Sequence, residues 1–171
     1  MEVIMKKLLP IVIVSLIFAG CATTGMSPDI RSEIPRNATT IELLTEQVAD
    51  ELFDEVFYFL RQEGFRFDEI YRDMRSLSTE EAVVGKSGSS LRIDIDIREY
   101  NDGSVLVANG EWFAQDASGG RWQPVVFSHS NTKYTVGFEE LVLLIMKIPH
   151  EELRYVVDEH RAERGTQIRI N

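Results

Sequence analysis

The stretch Leu91-Arg92-Ile93-Asp94-Ile95-Asp96-Ile97-Arg98 decides the fold class. Apolar and polar residues alternate without a break, and side chains of an extended strand point to opposite faces at each step, so one face is buried and the other meets water. Asn101-Asp102-Gly103 follows. With Asp102 and Gly103 at the centre of a type I′ turn, the chain reverses and pairs Ile97 with Ala108, Ile95 with Gly110 and Ile93 with Trp112. A three-residue turn would instead set Ile95 against Asn109 and Ile93 against Glu111, burying polar groups without evident partners. The two-residue turn is therefore preferred. It places small residues opposite isoleucines on the core face and leaves room for a helix across the sheet. A second turn at Ser118-Gly119-Gly120 leads into a strand over about 121–128, which completes an antiparallel meander.

Upstream, Thr39-Thr40-Ile41-Glu42 fits a capping box, and the spacing predicts a helix from there to Glu63. Its apolar stripe is Ile41, Leu44, Val48, Leu52, Val56, Phe59 and Leu60, widened by Leu43, Phe53 and Phe57. Gly64 is its expected C-terminal cap. Phe65-Arg66-Phe67 then begins a strand, and another is expected over about 81–86. Downstream, Phe138, Leu141, Val142, Ile145 and Ile148 form one helical face beginning near Thr135. Pro149 interrupts that helix and is expected to start another, in which Leu153, Val156 and Val157 continue the stripe as far as Gly165. Thr166-Gln167-Ile168-Arg169-Ile170 alternates like a strand. The expected fold is α+β: one domain over residues 38–171, an antiparallel sheet with N-terminal and C-terminal helices packed on one face.

The amino terminus has a different character. Lys6-Lys7 precede an apolar run from Leu8 to Phe18, and small residues then lead to Cys21. That order describes a signal peptide over residues 1–20, with Met5 the better start because Glu2 is out of place in a basic head. The run is too short to span a hydrocarbon core about 30 Å thick. Phe18-Ala19-Gly20-Cys21 resembles the lipobox of bacterial lipoproteins, although the family favours an aliphatic residue where Phe18 stands. The resemblance implies that Cys21 carries acyl chains, that these attach the protein to the membrane, and that Ala22 after the cysteine favours the outer membrane facing the periplasm over the inner membrane. Residues 21–37, rich in Thr, Ser, Pro and Gly, read as a lipidated flexible tether with a reach of roughly 20–25 Å. Cys21 is the only cysteine, so the fold has no disulfide.

The 171 residues carry 18 basic and 28 acidic side chains, a net charge of −10. Such a surface repels phosphate backbones and anionic lipid, which argues against nucleic acid as a partner and leaves attachment to the acyl chains. The order helix, antiparallel strands, helix over about 39–165 resembles the small accessory lipoproteins of the outer-membrane β-barrel assembly machinery. That likeness is one of layout alone. It implies a noncatalytic interaction module bound to an envelope protein, and no functional residue is carried over from it.

Catalytic patterns are present only in fragments. His150-Glu151 opens like H-E-x-x-H, but Arg154 stands where the second histidine belongs, and His129 and His160 make no ligand pair. Gly85-Lys86-Ser87 imitates the end of a phosphate loop whose first glycine is replaced by Glu80, and Ser89 replaces the final glycine of a nucleophile elbow around Ser87. No metal or cofactor is expected. The polar face of the central hairpin is the better candidate. In the preferred register Asp94 lies opposite Glu111 and Asp96 opposite Asn109, so three carboxylates gather between Arg92 and Arg98, with Phe113 beside them. This face suits a cation or a basic partner; its plain alternative is a solvated face on which arginines neutralise acids. Trp112 belongs to the core. Beside an interaction module, two other functions remain open: a carrier of a small apolar ligand between sheet and helix at Ala108 and Gly110, and a cell-envelope hydrolase.

Overall fold

The computed structural model describes residues 26–84, 89–116, 119–128, 133–160 and 162. Cys21, the signal segment, Ser87, His129 and the strand expected at 166–170 lie outside the described residues. In chain order the elements are α1 (Pro28–Glu33), β1 (Thr40–Thr45), α2 (Ala49–Gln62), β2 (Phe67–Tyr71), a 3-10 turn (Arg72–Met74), β3 (Ser76–Thr79), β4 (Ala82–Val84), β5 (Ser89–Tyr100), β6 (Gly103–Asp116), β7 (Gly119–Pro124), α3 (Lys133–Ile145) and β8 (Glu152–Val156). The fold is α+β, built on an eight-stranded antiparallel sheet of order β2-β3-β5-β6-β1-β8, with β4 also paired to β5 and β7 to β6.

The alternation of β5 survives in full: Leu91, Ile93, Ile95 and Ile97 are all buried, and Arg92 and Arg98 are exposed. The register does not match the expected one. Tyr100 pairs with Gly103, Ile97 with Leu106, Ile95 with Ala108 and Ile93 with Gly110, so Asn101 and Asp102 occupy the turn and the pairing slides by two residues. A slide of two keeps each side chain on its face. Its cause is local. Asn101 takes the left-handed conformation, φ 51°, which asparagine tolerates better than most residues. Gly103 is needed elsewhere, because a Cβ there would stand 2.1 Å from the carbonyl oxygen of Thr45.

The start of the first expected helix and part of the helix expected after Pro149 are strands. Residues 40–45 form β1, with Ile41 paired to Ala108 and Leu43 to Leu106 on one side and the same residues paired to Tyr155 and Leu153 of β8 on the other. Thr39 caps no helix; its hydroxyl accepts from the Asp158 backbone N–H at 3.1 Å. The helical spacing of Ile41, Leu44 and Val48 gives way to pairing on both edges of β1, and Val48 stands outside the core at 60% exposure. The helix expected after Pro149 is replaced by β8, in which Leu153 and Tyr155 are half-buried while Glu152, Arg154 and Val156 are exposed. A strand therefore precedes α2 and another follows α3, so the sheet is not a simple meander with helices at its two ends.

The remaining helix α2 keeps its apolar stripe at Leu52, Phe53, Val56 and Leu60. Asp50 and Glu51 in its first turn oppose the positive end of the helix dipole. It ends as expected at Gly64, φ 94°. There the Gly64 N–H bonds to the Arg61 carbonyl and the Phe65 N–H to that of Leu60, the paired closure that an αL glycine permits. Arg72 lies 5.7 Å from the Phe53 ring centroid and 5.6 Å from that of Phe57, and Phe57 stacks on Phe67. These contacts fix α2 to β2.

α3 presents Phe138, Leu141, Val142 and Ile145 to the core, all fully buried. They join the α2 stripe and the isoleucines of β5 in one hydrophobic cluster. A Cβ on Gly110 would meet Leu141 at 3.2 Å and Val125 at 2.9 Å. The space that Gly110 leaves beside β5 is filled by Val125 and Leu141. Trp112 is buried at 4% exposure, as expected, and a Cβ on Gly137 of α3 would lie 2.7 Å from its indole.

Residues 26–37 do not behave as the flexible tether expected of them. From Met26 onward the chain packs on the domain: Met26 and Ile34 are buried, the Ser27 side chain caps α1, and Arg31 pairs with Glu139 of α3 at 3.2 Å. Burial raises the pKa of Glu139 against the opposing pull of Arg31. Burial and then the Glu139 charge raise that of Glu140. A carboxyl whose folded pKa is raised stabilises the fold fully below its unfolded pKa, near 4.5, and loses that contribution as pH rises through the folded value. Glu140→Gln is therefore expected to melt at a higher temperature than the wild type at pH 7, with the difference vanishing towards pH 4.5. Parallel melting curves across that range would remove the basis for this account.

Candidate interaction face of the sheet

Because side chains alternate, β5 sends Arg92, Asp94, Asp96 and Arg98 to the face opposite its buried isoleucines, and β6 sends Val105, Val107, Asn109, Glu111 and Phe113 there. The observed register changes what meets what. Arg92 stands directly opposite Glu111, Asp94 opposite Asn109, Asp96 opposite Val107 and Arg98 opposite Val105. The like-charge pairing expected between Asp94 and Glu111 is absent, replaced by an opposite-charge pair. On the other side of β5, Ser78 and Ser76 of β3 flank Asp94 and Asp96. Among the described residues no three His, Cys, Asp or Glu side chains form a group that could hold a metal ion, so the carboxylates do not converge as a cation site would require.

A different cluster forms at one end of this face. Trp122 of β7 is directly opposite Phe113, their ring centroids 5.4 Å apart and tilted by 59°. The Arg92 guanidinium lies 4.0 Å from the Trp122 ring centroid, well inside the range of a cation–π contact. Phe113 also covers Gly120, where a Cβ would fall 1.9 Å from the ring. The expected pair Arg92 and Phe113 is thus brought together by a residue not placed on this face from the sequence, Trp122. Finding it required the β6–β7 register.

At the other end, Arg154 of β8 makes two hydrogen bonds to Glu152, at 2.8 and 2.9 Å, and lies 5.9 Å from the Tyr100 ring centroid. The Arg154 hydrogen bond lowers the Glu152 pKa. Between the two ends lie half-buried Val105 and Val107, and the Thr40 hydroxyl donates to the Asn109 side-chain oxygen at 2.7 Å. Tyr100 and Arg154 escaped sequence reasoning because residues 152–156 have the apolar spacing of a helix. Both wait on β1 to bring β8 to the sheet.

His150 does not begin a helix; it lies in the turn before β8, its Nδ1 2.7 Å from the Ile148 carbonyl oxygen. No helix among the described residues is long and apolar enough to cross a membrane. No protein-family model matches this chain, and no curated protein matches it in sequence.

Proposed function

We propose that the protein is a lipid-anchored, noncatalytic interaction module of the bacterial cell envelope, attached through acyl chains on Cys21 and facing the periplasm from the outer membrane. In this reading α2 and α3 cover one face of the sheet and the opposite face receives an envelope protein. The observation that carries it is the Arg92–Trp122–Phe113 cluster. Tryptophan, arginine and aromatic residues dominate the binding energy of protein interfaces, and here they sit together on the face opposite the buried isoleucines. The acidic net charge favours a basic partner.

Strand edges are the competing docking route, and each is blunted. β2 is irregular between Phe67 and Glu69 and carries Asp68 and Glu69; β4 has three residues; β7 ends at Pro124; β8 bears the Glu152–Arg154 pair. Charge, brevity, bulges and proline are the means by which sheet edges resist added strands. With its described edges blunted, the sheet offers its open face for recognition.

A photo-crosslinking residue at position 122 is expected to capture a discrete partner in cells, whereas one at exposed Tyr58 of α2 is not. Trp122→Ala combined with Arg92→Ala should abolish that capture from an unmodified reporter position at Val107, while changing stability by about 1 kcal/mol or less. Equal capture from positions 58 and 122 would remove the face from consideration. Labelled fatty acid should appear on the wild type and disappear in Cys21→Ser; its persistence would disprove the anchor.

A further inference from the structure

A groove of about 290 Å³ opens where the end of α2, α3 and β4 meet, away from the cluster described above. Its floor is apolar: Phe65, Leu91 and Leu144 are all buried. Val83 and Val84 of β4 form one wall, and Val83 is 70% exposed. At the rim, Lys147 pairs with Glu63 at 2.7 Å, so these two charges neutralise each other. Glu140 also lines the groove. It is half-buried, and among the described residues no hydrogen bond or ion pair reaches its carboxylate.

We propose that this groove binds a cationic amphiphile, an ammonium group on a short apolar stem, with Glu140 as its counter-ion. The inference goes beyond the interaction face and is independent of it. An apolar stem gains by covering exposed Val83 and half-buried Val84 and Leu143. An anionic head group would meet Glu140 with no unpaired cation among the described lining residues to offset it. A neutral ligand would desolvate Glu140 further without compensation. An ammonium group supplies what the carboxylate lacks, and hydrogen bonds to a charged partner in a partly desolvated site are the stronger kind. Burial already disfavours the ionised form of Glu140, so a bound cation relieves an existing cost. Neither Phe65 nor Leu91 is spaced with Glu140 in any sequence pattern; the groove exists only once three elements meet.

The test is titration of the folded protein with octylammonium, octyl sulfate and 1-octanol below micelle formation, followed by methyl NMR shifts of Val83, Val84, Leu143 and Leu144. Octylammonium is expected to give saturable shifts at these methyls and to bind about tenfold more tightly than either comparator. Glu140→Gln should abolish that preference while keeping the fold, since it removes an unpaired half-buried charge. Val83→Lys, at an exposed position, should weaken octylammonium by a similar factor through repulsion at the mouth. Equal binding of the three amphiphiles, shifts that do not saturate, or an unchanged preference in Glu140→Gln would overturn the proposal. So would saturation by a short lysine-containing apolar peptide but not by octylammonium, which would make the groove a peptide site.

Discussion

Alanine at Phe138 is expected to destabilise the protein by about 3–5 kcal/mol, in the range for removing a buried aromatic ring. Phe138 is fully buried. Its ring centroid lies 5.9 Å from that of Phe127 and 6.5 Å from that of Tyr155. It therefore joins α3, the segment after β7, and β8. The Phe127 N–H bonds to the Ala38 carbonyl and the Phe127 carbonyl accepts from the Asn37 N–H. Both bonds run to the segment at residues 37–38 and hold that backbone against collapse into the space a lost ring would leave. Urea denaturation should show a lower midpoint with an unchanged slope. Phe138→Leu, which retains most of the apolar volume, should cost markedly less. A loss under about 1 kcal/mol for the alanine variant would mean that the ring does not pack as described.

Gly103→Ala is the second large effect, although it adds a single methyl group. The new Cβ would stand 2.1 Å from the Thr45 carbonyl oxygen and 2.9 Å from Glu46 Cα. Both are backbone atoms, so no rotamer change relieves the contact. The end of β1 must move away from β6, straining the Ser104 hydroxyl's 2.7 Å bond to the Gln47 carbonyl. The expected cost is about 3 kcal/mol, at the upper end for overpacking. Gly64→Ala is the comparison. Nothing lies within 4 Å of its Cβ, but φ is +94°, so only conformational strain applies, about 1 kcal/mol. Thermal melts of the two variants separate crowding from backbone freedom, and the assignment is wrong if Gly103→Ala is the milder of the two.

The sheet was legible where its period is unambiguous. From Leu91 to Arg98 each residue belongs to only one face under any even register, which is why Arg92, Asp94, Asp96 and Arg98 share a face although the expected pairing is off by two. The turn could not be placed because the demand on Gly103 comes from Thr45, a residue remote in sequence. Residues 40–45 were misread because Ile41, Leu43 and Leu44 satisfy helical and extended spacing alike over so short a run; the partners that decide between them are β6 and β8, and β8 carries the same ambiguity at Leu153 and Val156. The candidate face was readable by parity as far as Arg92, Glu111 and Phe113, and no further, since Trp122 joins them only through β7. Gly64 was readable because its helix-ending role is local.

The position of β1 also orders assembly in time. The hairpin of β5 and β6 closes through a two-residue turn and can form early from contacts near in sequence. β1 must instead be clasped between β6 and the last described strand, β8. The first described strand thus finds its second edge only after the last described one has been delivered. Until then one edge of β1 is open, and a nascent or unfolded chain lacking residues 152–156 is held short of the native state. Pairing on both edges ties residues 40–45 to residues 152–156, more than a hundred positions away in the sequence.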